Sequence, residues 1–455
     1  MSFPAYPAYK KSGVEWLGVV PDHWTVTLLK RGYEVVLGKM LQPEARRDDD
    51  EFLPYLRAAN IQLSGVDTAD VKRMWFGAEE KKSLLLRRGD LLVSEGGDVG
   101  RSAIWEFDQE ECYFQNSINR IRSIGGNNTR FLYFWMIAIK ENGYVDVLCN
   151  KSTIAHFTAE KVAAVPLPIP TKTEQAQIAR FLDHETTRIG ALIEEQQRLI
   201  ELLKEKRQAV ISHAVTKGLN PTAPMKDSGV EWLGEVPAHW DVSRLKYHSS
   251  RIGDGLHSTP EYDDAGDYFF INGNNLVGGS ICITATTRQV NFQGFVKHRV
   301  LLDSSTVLIS INGTIGNLAL YSGEPVILGK SAAYINCAKS LSPRFCLYLF
   351  SSGQIRRFFE SQLTGTTIYN LSLRTIAETP TPLPSIDEQN CIVEFLSRQV
   401  DEFDELIDNA MRLSQLLQER RSALISAAVT GKIDVRGWQT PVSTQAPKFE
   451  VAEAV

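Results

Sequence analysis

The feature that most constrains this chain is that it says the same thing twice. Residues 12–30 read SGVEWLGVVPDHWTVTLLK and residues 228–246 read SGVEWLGEVPAHWDVSRLK, with fourteen of nineteen positions identical at an offset of 216. The likeness goes further. GDLLVSEGGDVGRSAI at residues 89–104 aligns with STVLISINGTIGNLAL at residues 305–320, still at offset 216. KSTIAHFTAEKVAAVPLPIPTKTEQ at residues 151–175 aligns with GTTIYNLSLRTIAETPTPLPSIDEQ at residues 365–389, at offset 214. Self-similarity at a fixed offset means two copies of one structural frame. The edges of the copies are alike and their centres differ, so duplication kept a frame and let its contents drift. A chain of 455 residues is also too long for one ordinary core, so two or more domains are expected.

A long helix follows each Pro-rich boundary. Thr171-x-x-Glu174 and Ser385-x-x-Glu388 have the form of capping boxes, in which hydroxyl and carboxylate satisfy orphan N–H groups. No proline interrupts either stretch before Gly218 and Gly431, each suited to the position after a helix end. Leu182, Ile189, Gln196, Leu203 and Val210 recur every seven residues in the first, with Leu192 or Ile193 and Leu199 or Ile200 between them. Leu396, Phe403, Ala410, Leu417 and Leu424 hold the same register in the second. This is the seam of a coiled coil. At a rise of 1.5 Å per residue each helix would be about 65–70 Å long, too long to bury its stripe alone. Equal length and matched register suit pairing with each other, antiparallel about a pseudo-two-fold axis.

The expected fold is therefore mixed α/β: two globular domains separated by two long antiparallel coiled-coil helices, with an internal pseudo-two-fold repeat. The expected divisions are a first globular domain at 1–165, a long helix at 166–218, a linker at 219–227, a second globular domain at 228–380, a second long helix at 381–436, and a disordered tail at 437–455.

Composition removes several function classes. No apolar run reaches membrane-spanning length, and the opening residues lack the apolar core of a signal peptide. Six scattered cysteines without a CxxC pair suit reduced thiols in the cytoplasm better than a disulfide framework or a zinc site. GEPVILGKS at residues 323–331 has five residues between its glycines, where a phosphate loop needs four. Its repeat partner reads Gln115-Asn116-Ser117 and lacks the lysine. No metal-ligand spacing and no nucleophile elbow occurs. The net charge of −5 equals that of residues 385–431 alone, which hold nine acids and four bases. The remainder is formally neutral, which leaves room for local basic surfaces elsewhere.

Two divergent halves, two similar long helices and repeated SGVEWLG.VP.HW and P.P...EQ frames resemble the specificity subunit of type I restriction–modification systems. RIGDGLHSTPEYDDAG at residues 251–266 is similar to the opening of many recognition domains of that family, and ALISAAVTGKIDV at residues 423–435 to the end of its distal helix. The match runs from residue 12 to about residue 438. The resemblance implies a DNA reader without catalytic residues. Each globular half would be a target-recognition domain for one half of a bipartite, asymmetric sequence in double-stranded DNA. The helices would fix the gap and dock two modification (methyltransferase) subunits, with restriction/translocase subunits added for cleavage. No cofactor is expected in this chain; S-adenosylmethionine, ATP and Mg would be bound by the partner subunits. The repeated tryptophans Trp16, Trp24, Trp232 and Trp240 read as packing anchors joining domain to scaffold.

Base edges are read by Arg, Asn or Gln, and phosphates by Lys, Arg or loop N–H groups. Loop candidates are Arg57, Asn60, Arg101, Lys151 and His156 in the first half, and His257, Asn272, Asn274, Asn275, Asn312, Lys330 and Asn370 in the second. The Asn60 and Asn275 loops correspond. Two rivals remain. A self-contained methyltransferase fusion would need a glycine motif for S-adenosylmethionine and an Asn/Asp-Pro-Pro-aromatic motif, and neither occurs. A duplicated coiled-coil scaffold without DNA binding would show no salt-dependent affinity for duplex DNA.

Overall fold

The computed structural model describes residues 3–108, 111–149, 156–363 and 369–441. It divides into two compact units, residues 1–196 with 413–455, and residues 197–412. The first long helix, Lys172–Lys217, and the second, Ile386–Val429, each contribute one half to each unit.

The two units are built alike. In the first, a four-stranded sheet has the order Ser102–Ile104, Leu91–Ser94, Ile118–Ser123, Tyr33–Leu37. A three-stranded sheet has the order Tyr113–Phe114, Glu51–Leu56, Lys72–Phe76. In the second, the four strands are Leu318–Leu320, Thr306–Ser310, Ala332–Cys337 and Ser249–Asp254. The three are Val326–Leu328, Tyr268–Ile271 and Gln289–Val290. Both three-stranded sheets have one parallel and one antiparallel pairing. The central strands LLVS and TVLIS are buried on both faces, hence their unbroken apolar sequence.

On one side of each four-stranded sheet lies a short helix, Thr129–Glu141 or Pro343–Ser351, whose Phe131, Trp135, Phe345 and Leu349 are buried. In the first unit this core continues into Ile178, Phe181 and Leu182 from the start of one long helix and Ile425, Ala428 and Val429 from the end of the other. In the second unit Ile211, Ala214 and Val215 meet Ile392, Val393 and Leu396. Nearer the middle, Ile200 and Leu203 pack with Ile407 and Ala410. Rising numbers on one helix meet falling numbers on the other, so they pair antiparallel. The seam holds Leu182, Ile189, Leu396 and Ala410 buried, and Leu203, Val210, Phe403, Leu417 and Leu424 half-buried. Between them, Ile200 faces in at 8% exposure while Leu199 is 40% exposed.

Several sequence boundaries shift. The stretch expected to open each helix is instead a strand: Pro166–Ile169 pairs with Thr25–Leu28, and Pro380–Leu383 with Asp241–Arg244. Proline fits because these are two-stranded ladders with open edges. The second helix stops at Val429 rather than 436, because Gly431 adopts φ +73. The tail does not begin at 437: Trp438 packs edge-on against Phe181 with ring centroids 5.3 Å apart. Residues 442–455 lie outside the described residues. Among the described residues, no helix is long and apolar enough to cross a membrane.

Candidate nucleic-acid interface

The repeated Trp-rich segment forms a joint. The reading of Thr171–Glu174 and Ser385–Glu388 as full capping boxes needs correction. Thr171 and Ser385 do cap, each accepting from the N–H three residues on. The carboxylates go elsewhere. Glu174 Oε1 accepts from Trp24 Nε1 at 3.1 Å and from the Tyr6 hydroxyl at 2.6 Å, and Oε2 lies 2.9 Å from His23 Nε2. Glu388 takes Trp240 Nε1 at 3.0 Å and His239 Nε2 at 2.9 Å. The following glutamines act as staples: Gln175 accepts from Asn128 N and donates to Pro170 O, while Gln389 accepts from Ser342 N and donates to Pro384 O. The end of the opposite helix closes each joint. A Cβ on Gly431 would come within 2.3 Å of Pro21 and 3.2 Å of Trp24, and one on Gly218 within 3.3 Å of Trp240. Pro, His, Trp, Glu, Gln and Gly therefore recur together because they touch. Trp24 and Trp240 are fully buried. Trp16 stacks on Tyr144 at 4.3 Å and Trp232 on Phe358 at 5.1 Å.

Away from the joint, each unit gathers its strand-end loops into a cradle. In the first unit, the chain leaves Tyr33–Leu37 at Gly38, where a Cβ would sit 2.2 Å from Gln115 O. Backbone bonds then tie Asn116 N to Lys39 O, Glu95 N to Ser117 O, and Phe157 N to Glu95 O. The Ser117 hydroxyl accepts from Ala58 N. In the second unit Gly255 crosses Leu328 O at the same 2.2 Å. Ile311 N bonds Ser331 O, Leu371 N bonds Ile311 O, and the Ser331 hydroxyl accepts from Gly273 N. The bonds at Glu95, Phe157 and Ser117 recur at Ile311, Leu371 and Ser331, so the two cradles share most of their stitching at equivalent positions.

Most sequence candidates come together here, in two different roles. Asn60 is 2% exposed; its Oδ1 accepts from Arg57 N and its Nδ2 donates to Asp67 O and Asp70 O. Asn275 repeats this with Asn272 N and Cys282 O. Both amides make the hydrogen bonds that hold the turn. Asn272 Oδ1 likewise accepts from Ser331. Asn274, His257, Lys330, Asn370 and His156 are exposed on the rim. Asn312 donates to Lys330 O and bridges to Asn370. Arg101 is half-buried beside Asp98. Lys151 lies outside the described residues.

The walls differ in charge. In the first unit Asp70 binds both Arg57, at 2.7 Å, and Lys72, at 2.9 Å. Hydrogen bonds first from Lys72 and then from Arg57 hold its carboxyl below the usual range. Glu95 is pushed the other way, upward by burial against a smaller pull from His156. In the second unit His257 pairs with Asp254 at 2.8 Å. Sequence reasoning missed Met40, which is 74% exposed at the place His257 takes in the other cradle. It also missed Arg288, which strand register alone brings to the cradle. Ser117 and Ser331 were within reach, since Gln115-Asn116-Ser117 already aligned with the false phosphate loop.

Comparison with known proteins agrees with this architecture. The model of the type I restriction modification DNA specificity domain matches twice, at residues 21–203 and 247–412. The MjaVIII specificity subunit of Methanocaldococcus jannaschii is 20% identical, over 92% of this chain and 94% of that one. The EcoKI specificity subunit of Escherichia coli K12 is 21% identical, over 91% and 90%. A solved chain from a study of assembly and conformational transition in a type I R-M system superposes with a TM-score of 0.69 at 15% identity, covering 91% of this chain and 99% of that one. Two matched domains on one frame, over more than half the chain, place this protein in the family of type I restriction–modification DNA specificity subunits.

Proposed function

We propose that this chain is the non-catalytic DNA reader of a type I restriction–modification complex, with each cradle reading one half of a bipartite, asymmetric target. The carrying observation is the pair of cradles with matching stitching at Ser117 and Ser331 and different walls. Shared bonds suit two sites of one kind, and divergent rims suit two base sequences. Loop N–H groups and rim cations provide phosphate contacts, and exposed amides and Arg side chains provide base contacts. The paired helices set the gap between half-sites. They also dock two modification subunits, to which restriction/translocase subunits are added. S-adenosylmethionine, ATP and Mg belong to those partners, and the complex works in the cytoplasm. The acidic second helix is unsuited to phosphate, so DNA lies on the cradles.

The test is single-molecule methylome sequencing of a host without its own methyltransferases, carrying this gene and its neighbours. Two short defined blocks around a fixed gap, lost when this gene alone is deleted, support the reading. A single undivided motif, or methylation that survives the deletion, overturns it. So does the absence of methylation with intact, active companions and no salt-dependent affinity of the complex for duplex DNA.

A further inference from the structure

One wall of the second cradle has no equal in the first. The matched turns put Asn272 opposite Arg57 and Asn275 opposite Asn60. The strands then fix the rest of the register. Tyr55 faces Lys72 in the first unit, and Phe270 N bonds Arg288 O in the second, so Arg288 stands where Lys72 stands. The approach to it is one residue longer than in the first unit, six positions from Cys282 to Arg288 against five from Asp67 to Lys72, and it carries Thr284, Ala285, Thr286 and Thr287 where the first unit has Asp70. The first unit thus has a carboxylate neutralising both of its cations. The second has no carboxylate in the matching loop, residues 282–287, and Arg288 makes no ion pair among the described residues.

Arg288 is nevertheless held. Its guanidinium lies over the Tyr262 ring at 5.4 Å, and Tyr262 leans on Phe270 at 6.0 Å. Such stacking orients a planar fork and leaves its N–H edge available. Together with Asn274, Thr284 and Thr287 these residues line a polar concavity of about 280 Å³. Asn274 is exposed, on a turn whose backbone is fixed by Asn275 and Ser331. A phosphate calls for donors only. A guanine O6/N7 edge calls for two coplanar donors, which an oriented guanidinium supplies, and the amide and hydroxyls beside it can meet the donors and acceptors of a neighbouring edge.

We propose that Arg288, set by Tyr262 and flanked by Asn274, reads the major-groove O6/N7 edge of a guanine in the half-site of the second unit. This rests on the DNA-reader function above. The test uses the whole complex and the methylome of the same methyltransferase-free host. Arg288→Ala should make one guanine position in one block degenerate, with preference for G falling about tenfold or more. The other block and the gap should not change, which also shows that the variant folds. Arg288→Lys, which retains the charge but not the fork, should fail at the same position. Thr286→Asp should do the same with Arg288 still present, by supplying the carboxylate the first unit carries. An unchanged motif, with methylation falling alike at every site, would make Arg288 a phosphate contact and overturn the proposal. So would a second block without guanine. If the wild type yields no bipartite motif, the function reading fails and takes this inference with it; a wild-type motif indifferent to all three variants refutes the inference alone.

Discussion

The two cradles share their backbone stitching and differ in their walls. Gly38 and Gly255 cross a neighbouring strand end at the same distance, and Ser117 and Ser331 accept the same N–H. Yet Arg57–Asp70–Lys72 is a closed ion-pair cluster, while the second unit has Asn272 and Arg288 with no carboxylate in the loop between them, which leaves one cation open. The turn asparagines Asn60 and Asn275 and the hydroxyls of Ser117 and Ser331, whose polar atoms hold the backbone, stay the same in both copies, while the charged rim differs. A recognition module can change what it reads without touching what folds it, because the two jobs fall to different side chains.

The joints test the shared part, and they carry the largest expected effect. Trp24→Ala and Trp240→Ala each empty a fully buried site and leave a glutamate without its indole donor. Each should cost about 3–5 kcal/mol. The comparison predicts that Trp24→Ala opens amides of the first unit and Trp240→Ala those of the second, as read by hydrogen exchange. Equal loss of protection in both units from either variant would show that the units do not hold themselves up separately.

Next come the turn asparagines. Asn60→Ala and Asn275→Ala each strand backbone groups that the amide had satisfied. The expected cost is about 1–3 kcal/mol apiece by denaturant unfolding, with Asn60→Ala the larger because it loses a second acceptor, Asp70 O. If either change left stability untouched while altering the motif, that asparagine would be a base reader after all.

The frame was more legible in the sequence than the site. Heptad spacing located the long helices, and the repeat announced two like units. Proline ladders were hidden inside apparent helix starts, since Pro166 and Pro380 look like approach segments until a partner strand is known. The capping motif gave the correct residues with the wrong partner for Glu174, because Trp24 and His23 lie about 150 residues away in sequence. Of the rim, exposed polar loops were found by residue type, but type cannot separate Asn274, which faces out, from Asn275, which is consumed by its own turn. Arg288 needed strand register, which composition does not carry.

Breaking the closed cluster should sharpen the contrast from the other side. Asp70→Asn keeps the shape and removes the charge that holds Arg57 and Lys72. Duplex affinity of the complex should rise a few-fold. The slope of log affinity against log salt should steepen by about 0.9 for each released cation that finds a phosphate. No change in slope would mean that this wall does not face DNA.

The smallest effect concerns Glu95, a carboxylate tied by its own backbone to Ser117 and Phe157 in the first cradle, where the second has Ile311. Burial raises its pKa above the ordinary glutamate range. The sign follows from linkage: a raised carboxyl binds its proton more tightly in the folded state, so stability declines as pH climbs from the ordinary value through the folded one. At neutral pH the ionised group costs the fold something, though little, because it remains largely solvent-screened. Glu95→Gln should therefore match the wild type below the ordinary glutamate range and be slightly the more stable of the two at pH 7 in denaturant unfolding. It should also bind duplex DNA about two- to threefold more tightly at pH 7, since a negative charge has left the cradle. A stability gap that shrinks as pH rises would reverse the sign and remove Glu95 from the wall.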